Sequence, residues 1–300
     1  MLKVGVAASD LLLLTSDAAA NYGLEDDRVD GLGGNDDIRT GAGNDYLKGG
    51  AGDDLLFDGD GDDTVFAGGG DDTVQVDAGN DIYHGGDGND FLWFDRIHYG
   101  ASGQFDDARQ GITFDLARTS PQNLGEFGID SFIGFEKVVG TYGNDSIYGT
   151  SGSNRLDGNP GNDLLDGRGG NDTLEGGLGT DTLIGGLGAD TLYASDGIGN
   201  GVIRYDSLKD SGTTTATRDV IKGFTKGQDK IDLGKIDANL GLKGNQAFKV
   251  VTGFTKAFGE VRLVKSGNDT LVQIDGDKDN SIDMTILVKN AYLTMGDFIL

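Results

Sequence analysis

The sequence predicts an all-β protein with two parallel β-roll solenoids and a C-terminal β-rich cap. Aspartates recur every nine residues from Asp27 to Asp90, and an apolar residue stands two positions after each of them. A second array with the same period runs from Asp145 to Asp190. Glycines precede the aspartates in both arrays. A short fixed period is the signature of a solenoid, so each repeat is expected to add one strand to a stack.

The repeat reads G-G-x-G-x-D-x-U-x, where U is a large apolar residue, and residues 49–57 and 85–93 follow it closely. Glycines at positions one, two and four allow positive φ and let carbonyl oxygens turn inward. Positions seven to nine are predicted to form a short strand with the U side chain inside. Two repeats would then make one coil of 18 residues. Loops of repeats i and i+2 would therefore lie on the same edge.

These paired loops are predicted to bind calcium. Their donors are hard oxygens, with no His or Cys at these positions, and a flexible cage of carbonyl and carboxylate oxygens suits calcium better than zinc or magnesium. The i, i+2 pairs are 27/45, 36/54, 45/63, 54/72, 63/81, 72/90, 136/154, 145/163, 154/172, 163/181 and 172/190, or eleven candidate sites at most. The two pairs with Asn154 are expected to be weak, since an amide replaces a charge there.

The predicted ligands are the aspartates at position six and the glycines at positions two and four. In the first array these are Asp27, Asp36, Gly41, Gly43, Asp45, Gly50, Gly52, Asp54, Gly59, Gly61, Asp63, Gly68, Gly70, Asp72, Asp81, Gly86, Gly88 and Asp90. In the second array they are Gly143, Asp145, Gly161, Asp163, Gly170, Asp172, Gly177, Gly179, Asp181, Gly186, Gly188 and Asp190.

The composition indicates a chain whose negative charge is neutralised by bound metal ions. It has 50 acidic and 24 basic residues, a formal charge of −26 and 54 glycines. Ordering nine residues costs roughly 9 to 18 kcal/mol of backbone entropy, whereas burying one U side chain returns only about 1.5 to 3 kcal/mol. We therefore expect the arrays to be largely disordered without calcium, so that binding energy becomes folding energy. Surface turns alone would explain the glycines and asparagines but not the period.

The chain contains no cysteine, so calcium is expected to supply the stabilisation that disulfides give to many extracellular proteins. Residues 1–6 do not have the charged and then apolar pattern of a signal peptide. No apolar stretch is long enough for a transmembrane helix. We expect export by another route.

The last third of the chain points to that route. Residues 219–224 read DVIKGF, residues 227–233 read GQDKIDL, and residues 297–300 read DFIL. The chain resembles the C-terminal domain of the serralysin metalloproteases and related RTX substrates of type I secretion, whose nonapeptide repeats bind calcium. The resemblance implies that residues 297–300 belong to an uncleaved export signal. It also implies the type I secretion machinery as a partner and an extracellular location, with association with the cell surface as the alternative.

The sequence predicts five segments: a lead-in at 1–20, a first roll at 21–95, an insertion at 96–130, a second roll at 131–200 and the cap at 201–300. Residues 111–116 of the insertion alternate as a strand does, and residues 132–140 resemble segments that return such arrays to register. The insertion is expected to be a spacer with core aromatics, with a ligand-binding loop as the alternative.

No catalytic motif was found. The histidines, His84 and His98, do not form H-E-x-x-H, and residues 149–152 lack the spacing of a nucleophile elbow. We expect no enzymatic activity and no role for either histidine. A separate metal candidate is Asp275, Asp277 and Asp279, spaced as in an EF-hand loop but with Ile286 instead of a bidentate Glu. A solvated hairpin turn between 271–274 and 284–288 is the alternative.

The expected function is a secreted calcium-binding protein with a structural or binding role outside the cell. The alternative is the calcium-binding and secretion module of a larger exoenzyme, such as a metalloprotease, lipase or alginate epimerase. A pore-forming role is disfavoured because no long amphipathic apolar region is present. Polysaccharide is a candidate partner through calcium bridges, although a chain of charge −26 repels acidic polymers without calcium. We expect no nucleic-acid partner and a monomer.

Overall fold

A computed structural model describes residues 26–94, 110–194, 199–238 and 246–300, together with the backbone of four short strands at 2–4, 11–13, 98–99 and 105–106. The chain forms two compact units, Met1–Gly143 and Asn144–Leu300. Both are built of strands, and the helices of the described residues are two 3₁₀ turns, Gly125–Phe127 and Met295–Asp297. The predicted all-β class is confirmed. Most of the expected lead-in at 1–20 lies outside the described residues.

The first unit contains sixteen short strands within the described residues. They are β1 (Leu2–Val4), β2 (Leu11–Leu13), β3 (Arg28–Asp30), β4 (Asp37–Ala42), β5 (Tyr46–Ala51), β6 (Leu55–Asp60), β7 (Thr64–Gly69), β8 (Thr73–Gln75), β9 (Ile82–Asp87), β10 (Phe91–Trp93), β11 (His98–Tyr99), β12 (Phe105–Asp106), β13 (Thr113–Asp115), β14 (Gln122–Asn123), β15 (Ile129–Ile133) and β16 (Lys137–Val139).

These strands form two parallel stacks. Strands β1, β3, β5, β7, β9 and β15 follow one another in the first stack. Strands β2, β4, β6, β8, β10 and β16 follow one another in the second. Within the repeats the register steps by one coil, so that Leu47 lies opposite Val65 and Val65 opposite Tyr83. The predicted coil of two repeats is confirmed.

The apolar U residues line the interior of the first roll. Val29, Ile38, Leu47 and Leu56 are all 0% exposed. The alternation continues past the predicted three-residue strand, because β4, β5, β6, β7 and β9 each extend to six residues. Position one of the repeat therefore also faces inward, which places an acidic side chain, Asp58, in the interior.

The first unit ends beyond the predicted boundary of the roll. Phe132 in β15 lies opposite Tyr83, and Val138 in β16 lies opposite Leu92. These residues were assigned to the second roll because their spacing resumes there, but they continue the stacks of the first. The aromatics of the insertion whose side chains the structure describes, Phe114 and Phe127, are core residues: Phe114 packs edge-on against Phe94 at 5.1 Å, and Phe127 and Phe132 complete the cluster.

The second unit contains fourteen strands within the described residues. They are β17 (Ser146–Tyr148), β18 (Arg155–Asp157), β19 (Leu164–Asp166), β20 (Thr173–Glu175), β21 (Thr182–Ile184), β22 (Thr191–Tyr193), β23 (Val202–Arg204), β24 (Asp219–Lys222), β25 (Lys230–Asp232), β26 (Lys249–Val251), β27 (Glu260–Ser266), β28 (Asp269–Asp275), β29 (Met284–Val288) and β30 (Phe298–Ile299).

The second roll continues into the segment predicted to be a separate cap. One stack runs β17, β19, β21, β23, β25 and β30. The other runs β18, β20, β22, β24 and β29, and the antiparallel pairs β29/β28 and β28/β27 then extend it, with β26 at its edge. Ile203 lies opposite Leu183, and Ile221 opposite Leu192. The strands after residue 200 therefore bury apolar side chains on the same core.

Candidate metal centre

The acidic residues at position six form a hydrogen-bonded ladder along both rolls. In ten of the eleven predicted i, i+2 pairs, the backbone N–H of the earlier residue donates to Oδ1 of the later aspartate, over 2.6 to 3.0 Å. The pairs joined in this way are 27/45, 36/54, 45/63, 54/72, 63/81, 72/90, 145/163, 154/172, 163/181 and 172/190. The structure therefore brings together the aspartates that the spacing paired within each roll.

Four further acidic side chains extend the ladder; three of them were not predicted as ligands, and the fourth, Glu136, was predicted only in the pair 136/154. Asp130 accepts from the N–H of Asp81, Glu136 from that of Asp90 and Asp219 from that of Asp190, each at 2.9 Å. Asp229 accepts from the N–H of Gly201 at 2.7 Å. Each stands two residues before a buried apolar side chain, as in the repeat. An acidic residue two positions before an apolar one was the available signal, although Asp130, Asp219 and Asp229 lie off the nine-residue count.

In ten of these aspartates the second carboxylate oxygen has no hydrogen-bond partner. Oδ2 is buried and unpartnered in Asp45, Asp54, Asp63, Asp72, Asp90, Asp130, Asp163, Asp172, Asp190 and Asp219. Each of these residues is at most 3% exposed. Buried polar atoms in folded proteins nearly always have a partner, and an unpartnered buried carboxylate oxygen is costly. A repeated row of such atoms fits a bound cation.

Backbone carbonyls converge on the same places. A Cβ built on Gly49 would collide with Oδ2 of Asp54 and lie 2.5 Å from the carbonyl oxygen of Ala67 in the next coil. A Cβ on Gly167 would similarly meet Oδ2 of Asp172 and, at 2.7 Å, the carbonyl oxygen of Gly185. Carboxylate and carbonyl oxygens from successive coils thus surround a common point. This donor set is the one that calcium prefers.

The glycines predicted as ligands have the expected backbone conformation. All of them have positive φ except Gly143 and Gly161. Their carbonyl oxygens lie close against the glycine one coil later: a Cβ on Gly88 would collide with the carbonyl oxygen of Gly70, and one on Gly68 with that of Gly50. Close stacking therefore requires glycine there. Their role as ligands stays a prediction.

Burial makes the ladder electrostatically unfavourable without a cation. Burial raises the pKa of Asp63 and of Asp72 to about 7, and that of Asp163 to about 8. The hydrogen bond from the preceding coil acts in the opposite direction but does not compensate. Neighbouring ladder carboxylates raise these pKa values further. The metal-free rolls therefore hold carboxyl groups that favour protonation near neutral pH.

Position five forms a second ladder that sequence analysis missed. Here the side chain of the earlier residue accepts from the N–H of the later one: Asn35 Oδ1 from Asp53 at 3.0 Å, and Asp53 Oδ1 from Asp71 at 2.8 Å. Asn162 and Thr180 repeat the arrangement at 2.8 Å in the second roll. The frequent Asn or Asp before the position-six residue was the signal. These exposed bonds join the turns of successive coils, and the ladder therefore holds the turns in place.

The loop at 275–283 connects the two strands of a hairpin, and its carboxylates also lie close enough together to hold a metal ion. Strands β28 and β29 form an antiparallel hairpin in which Ile274 lies opposite Met284. The carboxylates of Asp275, Asp277 and Asp279 nevertheless each offer an oxygen within 4.8 Å of the others. Asp275 is 0% exposed and its Oδ2 has no hydrogen-bond partner. Asn280 has φ 64°, in the left-handed region that asparagine adopts more readily than most residues.

The histidines are placed as follows. His84, the ninth residue of its repeat, is partly exposed and stacks on Phe66, with ring centroids 4.6 Å apart. The side chain of His98 lies outside the described residues. The absence of a catalytic role for His84 stays a prediction.

Comparison with known proteins defines the class. Residues 123–300 match the family described as peptidase M10 serralysin C terminal, and residues 23–56 and 57–92 match the RTX calcium-binding nonapeptide repeat. The first match covers more than half of the chain, which therefore belongs to the serralysin C-terminal family. The protein is an RTX calcium-binding protein of the class exported by type I secretion. No match was found among curated proteins.

Two solved structures are similar to parts of the chain. They are the R3 and R2 subunits of the AlgE6 mannuronan C5-epimerase from Azotobacter vinelandii, at 25% and 24% identity. They cover 56% and 54% of this chain, and the aligned regions span 80% and 91% of their own chains. The TM-scores, 0.22 and 0.25, are too low to support an inference about this protein. Among the described residues, no helix is long and apolar enough to cross a membrane.

Proposed function

We propose that this chain is an extracellular structural or binding protein, without catalytic activity, that calcium folds after export. The observation that carries the proposal is the row of buried position-six carboxylates whose Oδ2 atoms have no partner, such as Asp54, Asp72 and Asp172. In this proposal the ions are structural, and up to the eleven pairs given by the spacing take part. Affinities of roughly 10⁻⁴ to 10⁻³ M are expected, as for other extracellular calcium modules.

The short spacing of the coils makes neighbouring ladder carboxylates repel one another. Adjacent strands lie about 4.8 Å apart, and two unit negative charges at that distance repel by about 3 to 4 kcal/mol at an effective dielectric constant near 20. The repulsion recurs along each edge of a roll. A divalent cation between neighbouring coils replaces repulsion with attraction and satisfies the unpartnered oxygens. The same chain is therefore expected to be unfolded at low calcium and folded at high calcium.

The position of the C-terminal residues agrees with folding after export. Asp297 is buried and its Oδ2 accepts from the N–H of Thr294 at 2.7 Å. Phe298 lies opposite Ile231 in the parallel stack. If residues 297–300 act as an export signal, they are accessible to the secretion machinery only before this strand has docked. A low calcium concentration in the cytoplasm would keep them accessible.

A second candidate function is that of a calcium-binding and secretion module in a larger exoenzyme, such as a metalloprotease, lipase or alginate epimerase. The match to the C-terminal family of serralysin peptidases favours it. The reading frame upstream of Met1 discriminates the two functions. A catalytic domain encoded there in frame would support the module.

The test of the proposal is a calcium titration of the purified chain followed by far-ultraviolet circular dichroism, with magnesium as the control. We expect a cooperative transition from coil to β structure with calcium only. A chain that is already fully β in excess chelator would overturn calcium-dependent folding. A transition of equal size with magnesium would overturn the selectivity.

A further inference from the structure

The interior of the first roll contains a carboxylate outside the position-six ladder. Asp58 occupies position one of its repeat, where residues such as Gly49 and Ala67 stand in neighbouring repeats. Because position one faces inward, the side chain of Asp58 lies inside the roll and is 0% exposed. Neither of its carboxylate oxygens has a hydrogen-bond partner. An apolar core does not account for such a side chain, because burying an uncompensated carboxylate is strongly unfavourable.

Two other aspartates lie beside Asp58. Asp77, at position two of its repeat, is 7% exposed, and its Oδ2 accepts from the N–H of Gly59 at 2.8 Å. Asp81 is 1% exposed; its Oδ1 accepts from the N–H of Asp63 at 2.8 Å and its Oδ2 from the hydroxyl of Tyr83 at 3.1 Å. Asp58, Asp77 and Asp81 each offer an oxygen within 4.8 Å of those of the other two.

We propose that Asp58, Asp77 and Asp81 hold a calcium ion inside the first roll, in addition to the ions of the repeat loops, with Asp81 shared between this site and the position-six ladder. Two of its three ligands are side chains at positions one and two, where the repeat has glycine and can offer only a backbone carbonyl. Three carboxylates form a hard, strongly anionic donor set without nitrogen or sulfur. Such a set selects calcium over zinc or copper.

A proton is the competing way to neutralise the cluster. Burial, together with the charges of Asp77, Asp63 and Asp81, raises the pKa of Asp58 well above its ordinary value. A single proton on Asp58 would neutralise that side chain but leave Asp77 and Asp81 as two uncompensated carboxylates beside it. The cation satisfies all three side chains at once. The number of bound ions separates the two possibilities, since a protonated cluster adds none.

The test compares Asp58→Asn with Asp87→Asn in the full chain at saturating calcium. Asp87 is an exposed aspartate in the same roll, so its substitution removes the same charge without touching the cluster. The number of bound ions is measured by native mass spectrometry and checked by elemental analysis after gel filtration. We expect Asp58→Asn to bind one ion fewer than the wild type and Asp87→Asn to bind the same number. Equal numbers in all three proteins would overturn the proposal.

A second measurement uses the wild type alone, in case Asp58→Asn does not fold. An anomalous difference map of crystals grown in calcium should show a peak about 2.3 to 2.6 Å from oxygens of all three aspartates. Peaks along the position-six ladder with none at Asp58 would overturn the additional site and leave the repeat sites intact. A wild-type chain that binds no calcium would instead overturn the proposed function as well.

Discussion

The backbone N–H of Asp36 donates a 2.8 Å hydrogen bond to Oδ1 of Asp54, one coil further along the first roll. The other oxygen of Asp54 is buried and has no partner. One carboxylate thus has two roles: Oδ1 fixes the stacking of two coils, and Oδ2 is available to a cation between them. Folding and ion binding therefore depend on the same side chain, which explains why each repeat keeps an acidic residue or its amide at this position.

The substitution Asp54→Asn is expected to separate these two roles. The amide oxygen of Asn can still accept from the N–H of Asp36, but the charge that attracts the ion is lost. We expect the calcium concentration at the folding midpoint to rise roughly tenfold, equivalent to about 1.4 kcal/mol. The measurement is the circular dichroism titration, with Asp87→Asn as the exposed control.

An unchanged midpoint in Asp54→Asn would mean that this carboxylate acts only through its hydrogen bond. A similar rise in Asp87→Asn would mean that overall charge, rather than the site, sets the midpoint.

A substitution at Gly49 tests whether carboxylate and carbonyl oxygens converge next to position one of the repeat. An alanine there would place its Cβ against Oδ2 of Asp54 and 2.5 Å from the carbonyl oxygen of Ala67. We expect Gly49→Ala to lower the free energy of unfolding in calcium by about 1 to 3 kcal/mol, the usual cost of overpacking. Gly253→Ala is the matched control, because a Cβ on Gly253 meets nothing within 4 Å. Urea denaturation in saturating calcium measures both, and equal stabilities would contradict the cradle at Gly49.

The period of the aspartates was sufficient to predict the core of the fold. A nine-residue repeat with one inward apolar residue, such as Leu47 or Leu56, allows one register only, because a one-residue slip would turn that residue outward. The pairing of Asp36 with Asp54 follows from the same count. Both features follow from the regular period alone and do not depend on the irregular segments.

The parts of the fold and of the ladder that the period does not predict depend on how irregular segments return to the stack. Asp130 pairs with Asp81 across 49 residues and Asp219 with Asp190 across 29, and no fixed period gives those separations. The boundary between the units depends on the same segments, and it falls after Gly143 instead of near residue 130. Asp58 was missed for a different reason: position one was assigned to the turn, whereas the six-residue strands make it an inward position.

The acidic loop after β28 is predicted to bind one calcium ion. Asp277 is exposed, and its Oδ1 accepts from the N–H of Asp279 at 2.8 Å, so that the loop is already folded around its carboxylates. We expect Asp277→Asn to bind one ion fewer at saturation, with little change in β content because the hairpin β28/β29 supplies the local structure. Native mass spectrometry gives the count. An unchanged count would identify the loop as a solvated turn.

Protonation of the ladder carboxyl groups is expected to stabilise the fold in part when calcium is absent. The pKa of Asp63 is about 7 and that of Asp163 about 8 in the metal-free fold, both raised mainly by burial from an ordinary value of 3.8. Between pH 3.8 and these values the folded state binds more protons than the unfolded chain. The free energy of unfolding of the metal-free protein therefore increases as the pH falls through this interval and decreases as the pH rises.

We accordingly expect more β structure at pH 5.5 than at pH 8 in calcium-free buffer with excess EDTA, measured by circular dichroism. Because protons already stabilise the metal-free fold at pH 5.5, less calcium is needed to complete folding, and the calcium midpoint of folding should be lower at pH 5.5 than at pH 8. Equal β content in EDTA at the two pH values would contradict the raised pKa values of the ladder. A higher calcium midpoint at pH 5.5 would contradict the replacement of calcium by protons at the ladder.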